Sequence, residues 1–161
     1  MELLGVQVEM PSEAPMLLLR ETNEPRRVLP VYIDAPEARA IHLGIDNVRV
    51  ARPLTHDLIK LILDELGADV VKLTVTELVD RTFFAELEID LGGETHVISC
   101  RPSDGVALAV RTEAPIFANE AVLDEAGQIV EEGPITEEES EELLDEFKRF
   151  IEDVAPEDFD G

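Results

Sequence analysis

Two short stretches carry the residues best suited to chemistry. Arg52-Pro53-Leu54-Thr55-His56-Asp57 stands just before an apolar helical run, and Arg101-Pro102-Ser103-Asp104 stands before another, with Arg111 further along it. Thr55 and either Ser103 or Asp104 suit helix N-caps, and Asp57 suits a positive first turn. Leu54 and Ile59 have the spacing of a hydrophobic staple, and Pro102 fixes a helix entry. Capping leaves Arg52 and Arg101 unexplained, because a cation ahead of a helix start opposes the dipole unless a carboxylate or a bound anion balances it. In one reading Arg52 pairs with Asp57 and Arg101 with Asp104, as local ion pairs. In the other, a phosphate or carboxylate binds at one or both helix starts and balances Arg52 and Arg101. His56, beside Asp57, is the best general-base candidate among the histidines.

The remaining reactive residues are more scattered. Glu86, Glu88 and Asp90 share one strand face and have the oxygen donors of a divalent-cation site, although a solvated strand face produces the same alternation. His42, His56 and His96 show no metal-ligand spacing. Cys100 is the single cysteine, which excludes an internal disulfide framework and a multi-thiolate zinc site, and it reads as a small buried residue rather than a nucleophile. No G-x-S-x-G, P-loop, G-x-G-x-x-G or H-E-x-x-H motif is present.

The elements that must position these residues follow from periodicity and punctuation. Leu3–Glu9, Met16–Glu21 and Arg27–Ile33 read as an early meander of short strands, with Pro30 suggesting an edge. A helix begins at Pro36, with Gly44 as its expected C-cap. Thr55–Leu66 carries Leu58, Ile59, Leu61, Ile62, Leu63 and Leu66 at helical spacing and stops at Gly67. Val70–Val79, Phe83–Leu91 and Thr95–Cys100 alternate as three antiparallel strands, the last two joined by Gly92-Gly93. Ser103–Arg111 is a short Ala/Val helix, Pro115–Phe117 a brief strand and Glu120–Leu123 one more turn. The expected fold is therefore α+β: largely antiparallel β meanders with two or three packed helices.

A second unit is expected after the first. Residues 1–130 read as the domain and residues 131–161 as an acidic tail, with 2 basic and 14 acidic residues that supply half of the net −24. Within the tail Thr136 and Glu139 have capping-box spacing, and Leu143, Leu144, Phe147, Phe150, Ile151 and Val154 form an amphipathic stripe before Pro156. Residues 136–154 thus offer a contact surface for the chain's own domain, another subunit or another protein. A surface this acidic repels nucleic acid except at a local site. The apolar runs are too short to span a membrane and no basic leader precedes them, so a reducing cytoplasm is the expected compartment.

Taken in order, "VLPVYIDAPEARAI", "RPLTHDLIKLILDELGADVVKLTVTELVDRTFFAELEI" and "RPSDGVALAVRTEAPIFANEAVL" resemble the bifunctional nuclease domain family of bacteria and plants. The terminal "FKRFIEDVAPEDF" is similar to the segment that often closes bacterial members. The resemblance implies a compact, commonly oligomeric α+β domain that hydrolyses phosphodiesters of DNA and RNA at a local site. Carried onto this chain, its motif residues are Arg52, Pro53, Thr55, His56, Asp57, Arg101, Pro102, Ser103, Asp104 and Arg111, all as candidates. It leaves the metal open between none and Mg²⁺ or Mn²⁺. Gly105 stands where many members place alanine, which weakens that helix or admits a close neighbour. The competing expectation is a non-catalytic oligomeric binding or regulatory module whose acidic C-terminal helix contacts a partner.

Overall fold

A computed structural model describes residues 1–9, 14–48 and 50–129. The expected tail helix and its contact surface lie outside those residues. Near the start of the chain, β1 (Glu2–Glu9), β2 (Ala14–Arg20) and β3 (Val28–Tyr32) form an antiparallel sheet in that order. Pro30, which cannot donate to a ladder, sits in an edge strand opposite Leu18, as its chemistry requires. Leu17 and Leu19 of β2 and Leu29 of β3 are fully buried.

Helices α1 (Ala35–Ile45) and α2 (Thr55–Leu66) lead into a second sheet of β4 (Ala68–Val79), β5 (Thr82–Leu91), β6 (Glu94–Cys100) and β7 (Ile116–Ala118). Its order is β6-β5-β4-β7, antiparallel except for the β4–β7 pair. Helix α3 (Pro102–Thr112) connects β6 to β7, and α4 (Glu120–Ala126) follows. The architecture is α+β with two mostly antiparallel sheets.

Helix α3 is the centre of the core. Val106, Ala107, Leu108 and Ala109 are buried within a cluster that includes Ile41 of α1, Leu73 and Val75 of β4, and Val122 of α4. Its small residues let neighbours approach closely. A Cβ on Gly105 would lie against the Leu73 side chain, and one on Gly44 would meet Val110 Cγ2 and Arg111 Nη1, each at 2.6 Å. Gly44 is therefore not the expected C-cap: α1 continues to Ile45, caps at Asp46, and uses Gly44 where it crosses α3. Gly67 does end α2, in the left-handed conformation expected of it (φ 68°).

Three further expectations need correction. The strand expected to alternate over Val70–Val79 carries a register shift between Val70 and Lys72, and at this bulge Val71 is exposed while Leu73 and Val75 stay buried. The N-cap of α2 is Leu54, not Thr55, so the Leu54–Ile59 staple is out of register by one. Helix α3 is capped by Arg101 with Pro102 at its first position, which leaves Ser103 and Asp104 inside the first turn.

Candidate functional site

Three helix starts meet at one end of a cleft of about 1040 Å³. Its walls come from α1 (Glu37, Arg39, Leu43), α2 and its N-cap (Leu54, His56, Ile59, Leu63), α3 (Asp104, Leu108) and the sheet (Leu87, Ile89, Ile98, Cys100). Apolar side chains make most of the lining, and the charged groups gather where α1, α2 and α3 converge.

A chain of contacts links those charges. Asp104 accepts both arms of the Arg101 fork, from Nε to Oδ2 at 2.7 Å and from Nη2 to Oδ1 at 3.0 Å. Arg101 Nη1 lies 2.8 Å from Glu37 Oε1. On the other side, His56 Nε2 stands 3.2 Å from Asp104 Oδ1, although the two residues are 48 apart in sequence. Burial pushes the Asp104 carboxyl up, but hydrogen bonds from Arg101 and His56 outweigh it and hold the group below its ordinary value. The ionised Asp104 favours a proton on the facing Nε2 of His56, which leaves the lone pair on Nδ1. A general base at His56 would then act through Nδ1. Glu37 Oε2 is buried and has no hydrogen-bond partner among the described residues.

The other half of the first motif does different work. Asp57 does not line the cleft; its Oδ1 accepts from Arg111 Nε at 2.6 Å and its Oδ2 from the Leu54 backbone N–H at 3.0 Å. Arg111 also donates through Nη1 to the carbonyls of Ala40 and Ala107, so this one guanidinium joins α1, α2 and α3. The Arg111 hydrogen bond holds Asp57 below its ordinary value despite burial. Of the two local pairs expected from sequence, Arg101–Asp104 forms, whereas Asp57 takes Arg111, 54 residues away, instead of Arg52.

The remaining candidates separate similarly. Arg52 is exposed, beside the cleft-lining Pro53, and no carboxylate among the described residues pairs with it. Ser103 is buried in α3 and does not line the cleft. Glu86 is exposed, Glu88 lies 3.1 Å from Lys72, and Asp90 accepts the Gly93 N–H that closes the turn, so these three carboxylates are not gathered for a cation. Among the described residues no three His, Cys, Asp or Glu side chains converge as metal ligands. Among the described residues the donors do not fit a protein-built Mg²⁺ or Mn²⁺ cage. Cys100 is half-buried in the cleft wall; burial, with Asp104 and Glu86 nearby, pushes its thiol up to about 11, so it stays protonated and weakly nucleophilic. The cleft sets Arg39 and Arg101 against Glu37 and Asp104 and is balanced apart from His56. Sequence reasoning missed Glu37 and Arg39, whose only signal was their place in the first turns of a helix flanked by Pro36.

An α+β domain whose helix starts assemble a histidine–carboxylate–arginine cluster at the end of a cleft defines the class. The chain belongs to the bifunctional nuclease domain family, whose model matches residues 17–131. It is similar to an uncharacterized protein of Mycobacterium tuberculosis, 40% identical over 159 residues that cover 97% of this chain and 94% of the relative. It is also similar to Bifunctional nuclease 1 of Arabidopsis thaliana, 28% identical over 76% of this chain and 39% of that protein. Bifunctional nuclease 2 of the same plant is 27% identical over 80% and 41%. The chain thus spans about two fifths of the plant proteins it matches. No helix among the described residues is long and apolar enough to cross a membrane.

Proposed function

We propose that this chain hydrolyses phosphodiester bonds of nucleic acid at the charged end of the cleft. The observation that carries the reading is the His56–Asp104 contact, which brings the two Arg-Pro motifs together beside Arg101. In this mechanism Nδ1 of His56 takes a proton from a water whose oxygen bonds to phosphorus, and the P–O ester bond to the departing sugar oxygen breaks. That oxygen takes a proton from solvent, and Asp104 stabilises the imidazolium until it releases its own proton. Arg101, with 61% of its side chain exposed, turns toward a non-bridging phosphate oxygen, and the exposed Arg52 contacts the backbone further along. Asp57 and Arg111 act as the brace that fixes α2 against α3, and Ser103 belongs to the packing of α3. The overall charge of −24 confines binding to this local site.

The test is cleavage of labelled single-stranded and duplex DNA and RNA by purified protein, with Mg²⁺, with Mn²⁺ and with chelator. Wild-type activity that disappears in folded His56→Gln and Arg101→Ala variants is the expected result. Activity equal in all three proteins, or absent throughout, overturns the assignment. The balanced charge of the cleft favours one second reading, in which the domain is a non-catalytic binding module and residues 136–154 hold a protein partner. Deleting residues 134–161 then abolishes that interaction while the domain stays folded.

A further inference from the structure

The phosphate chemistry proposed above uses only the charged end of the cleft. The rest is a wall of aliphatic side chains, among them Leu43 of α1, Leu63 of α2, Leu108 of α3 and Leu87, Ile89 and Ile98 of the sheet, and no described segment covers it. At about 1040 Å³ the cleft lies at the upper end of the roughly 300–1,000 Å³ found for small-molecule pockets. Among the described residues no Phe, Tyr or Trp lines it, so a nucleobase finds no stacking platform along this wall. Arg39 at the cleft and Arg52 beside it are exposed and pair with no carboxylate among the described residues, whereas Arg101 is already held by Asp104 and Glu37. The cleft therefore matches an occupant that has an apolar face with carboxylates at one end of it.

We propose that the occupant is this chain's own residues 137–154, docked in the cleft as an internal cover of the site. Leu143, Leu144, Phe147, Phe150, Ile151 and Val154 fall on one face at helical spacing, and Glu137, Glu138, Glu139, Glu141 and Glu142 precede them. That order gives the segment an acidic end to set beside Arg39 and Arg52 and an apolar face to set against the aliphatic wall. The reach is sufficient. The chain leaves the described domain at Ile129, which is 70% exposed. Residues 130–136 extend to about 24 Å and a helix over 137–154 adds about 27 Å, against a width on the order of 35 Å for a compact domain of this size. Because it is covalently attached, the segment meets the cleft at an effective concentration on the order of 1 mM, an advantage over any free partner of the same chemistry. Docking lays carboxylates over the charged end of the cleft, so nucleic acid must displace them. That regulatory consequence rests on the nuclease reading; the docking itself does not.

Cys100, the single cysteine, lines the cleft and reports its cover in the full chain. Joint replacement Phe147→Asp and Phe150→Asp is expected to raise the rate at which a small maleimide labels Cys100 by about tenfold or more, because a docked stripe hides the thiol. A short bis-maleimide is expected to bridge Phe147→Cys to Cys100 within one chain, at a yield independent of protein concentration. Arg149→Cys, opposite the stripe by helical spacing, is expected not to be bridged. Equal labelling rates overturn the proposal. So does a bridge that forms only between two chains, the result if the stripe seats in a second copy, and so does no bridge at all, the result if it holds another protein. Should the double variant not fold, the cysteine variants decide. Cleavage of labelled RNA is expected to rise about fivefold or more in the double variant. Cysteine results as expected without any cleavage overturn the nuclease reading alone, whereas cleavage that fails to rise overturns the covering role.

Discussion

Replacing Asp57 with alanine removes the acceptor of two hydrogen bonds at once, one from Arg111 Nε and one from the Leu54 N–H that opens α2. Arg111 is only 7% exposed, and its remaining partners are the neutral carbonyls of Ala40 and Ala107, so the guanidinium stays buried without a counter-ion. Breaking a fully buried pair costs about 3–5 kcal/mol. Asp57 keeps 29% of its side chain exposed, and solvent screening lowers the expected loss to about 2–3 kcal/mol. For a chain of this size that is a fall in Tm on the order of 5–10 °C. Asp57→Asn, which keeps one acceptor, is expected to lose about half as much. Urea unfolding followed by circular dichroism measures both. The pH dependence has a defined sign: Asp57 is depressed in the folded state, so its contribution is present above the ordinary carboxyl value near 4. It fades as pH falls through the lower folded value, and the gap between wild type and Asp57→Ala must narrow in acid. A variant within about 0.5 kcal/mol of wild type at pH 7, or a gap that widens in acid, refutes the buried-pair account.

Other expected outcomes follow from the same geometry. Gly105→Ala gains helix propensity of up to about 1 kcal/mol but drives a methyl into the fully buried Leu73, so a net loss of about 1–2 kcal/mol is expected by denaturant unfolding. Cys100, its thiol pushed up to about 11, is expected to react with a small thiol reagent at pH 8 more than about 100-fold slower than free cysteine, measured by absorbance; an equal rate contradicts the burial. His56→Gln is expected to lower cleavage about 100-fold or more while unfolding within about 1 kcal/mol of wild type, which separates its role from that of Asp57. Asp104→Asn is expected to lower cleavage as well and to shift the pH profile, because the partner that orients His56 has lost its charge.

Much of the fold was legible because its signals are local. The alternation from Phe83 to Leu91, the Gly92-Gly93 turn and the stop at Gly67 depend on neighbours a few residues away, and periodicity reports them directly. The bulge at Val71 was not legible, since it is a property of how β4 pairs with β5. The same division runs through the candidate site. Sequence alone marked the two Arg-Pro helix starts and supplied a local partner for each arginine. Tertiary structure decided that Asp57 takes Arg111 across 54 residues, that Asp104 meets His56 across 48, and that Glu37 of α1 completes the cluster through Arg101. Ion pairs form with whichever opposite charge packing brings within a few ångströms, and distance through space has no counterpart in spacing along the chain. Helix α2 makes the same point with apolar residues: the 3.6-residue pattern identified the stripe, but only the packing of α2 on α3 determined that most of it faces outward.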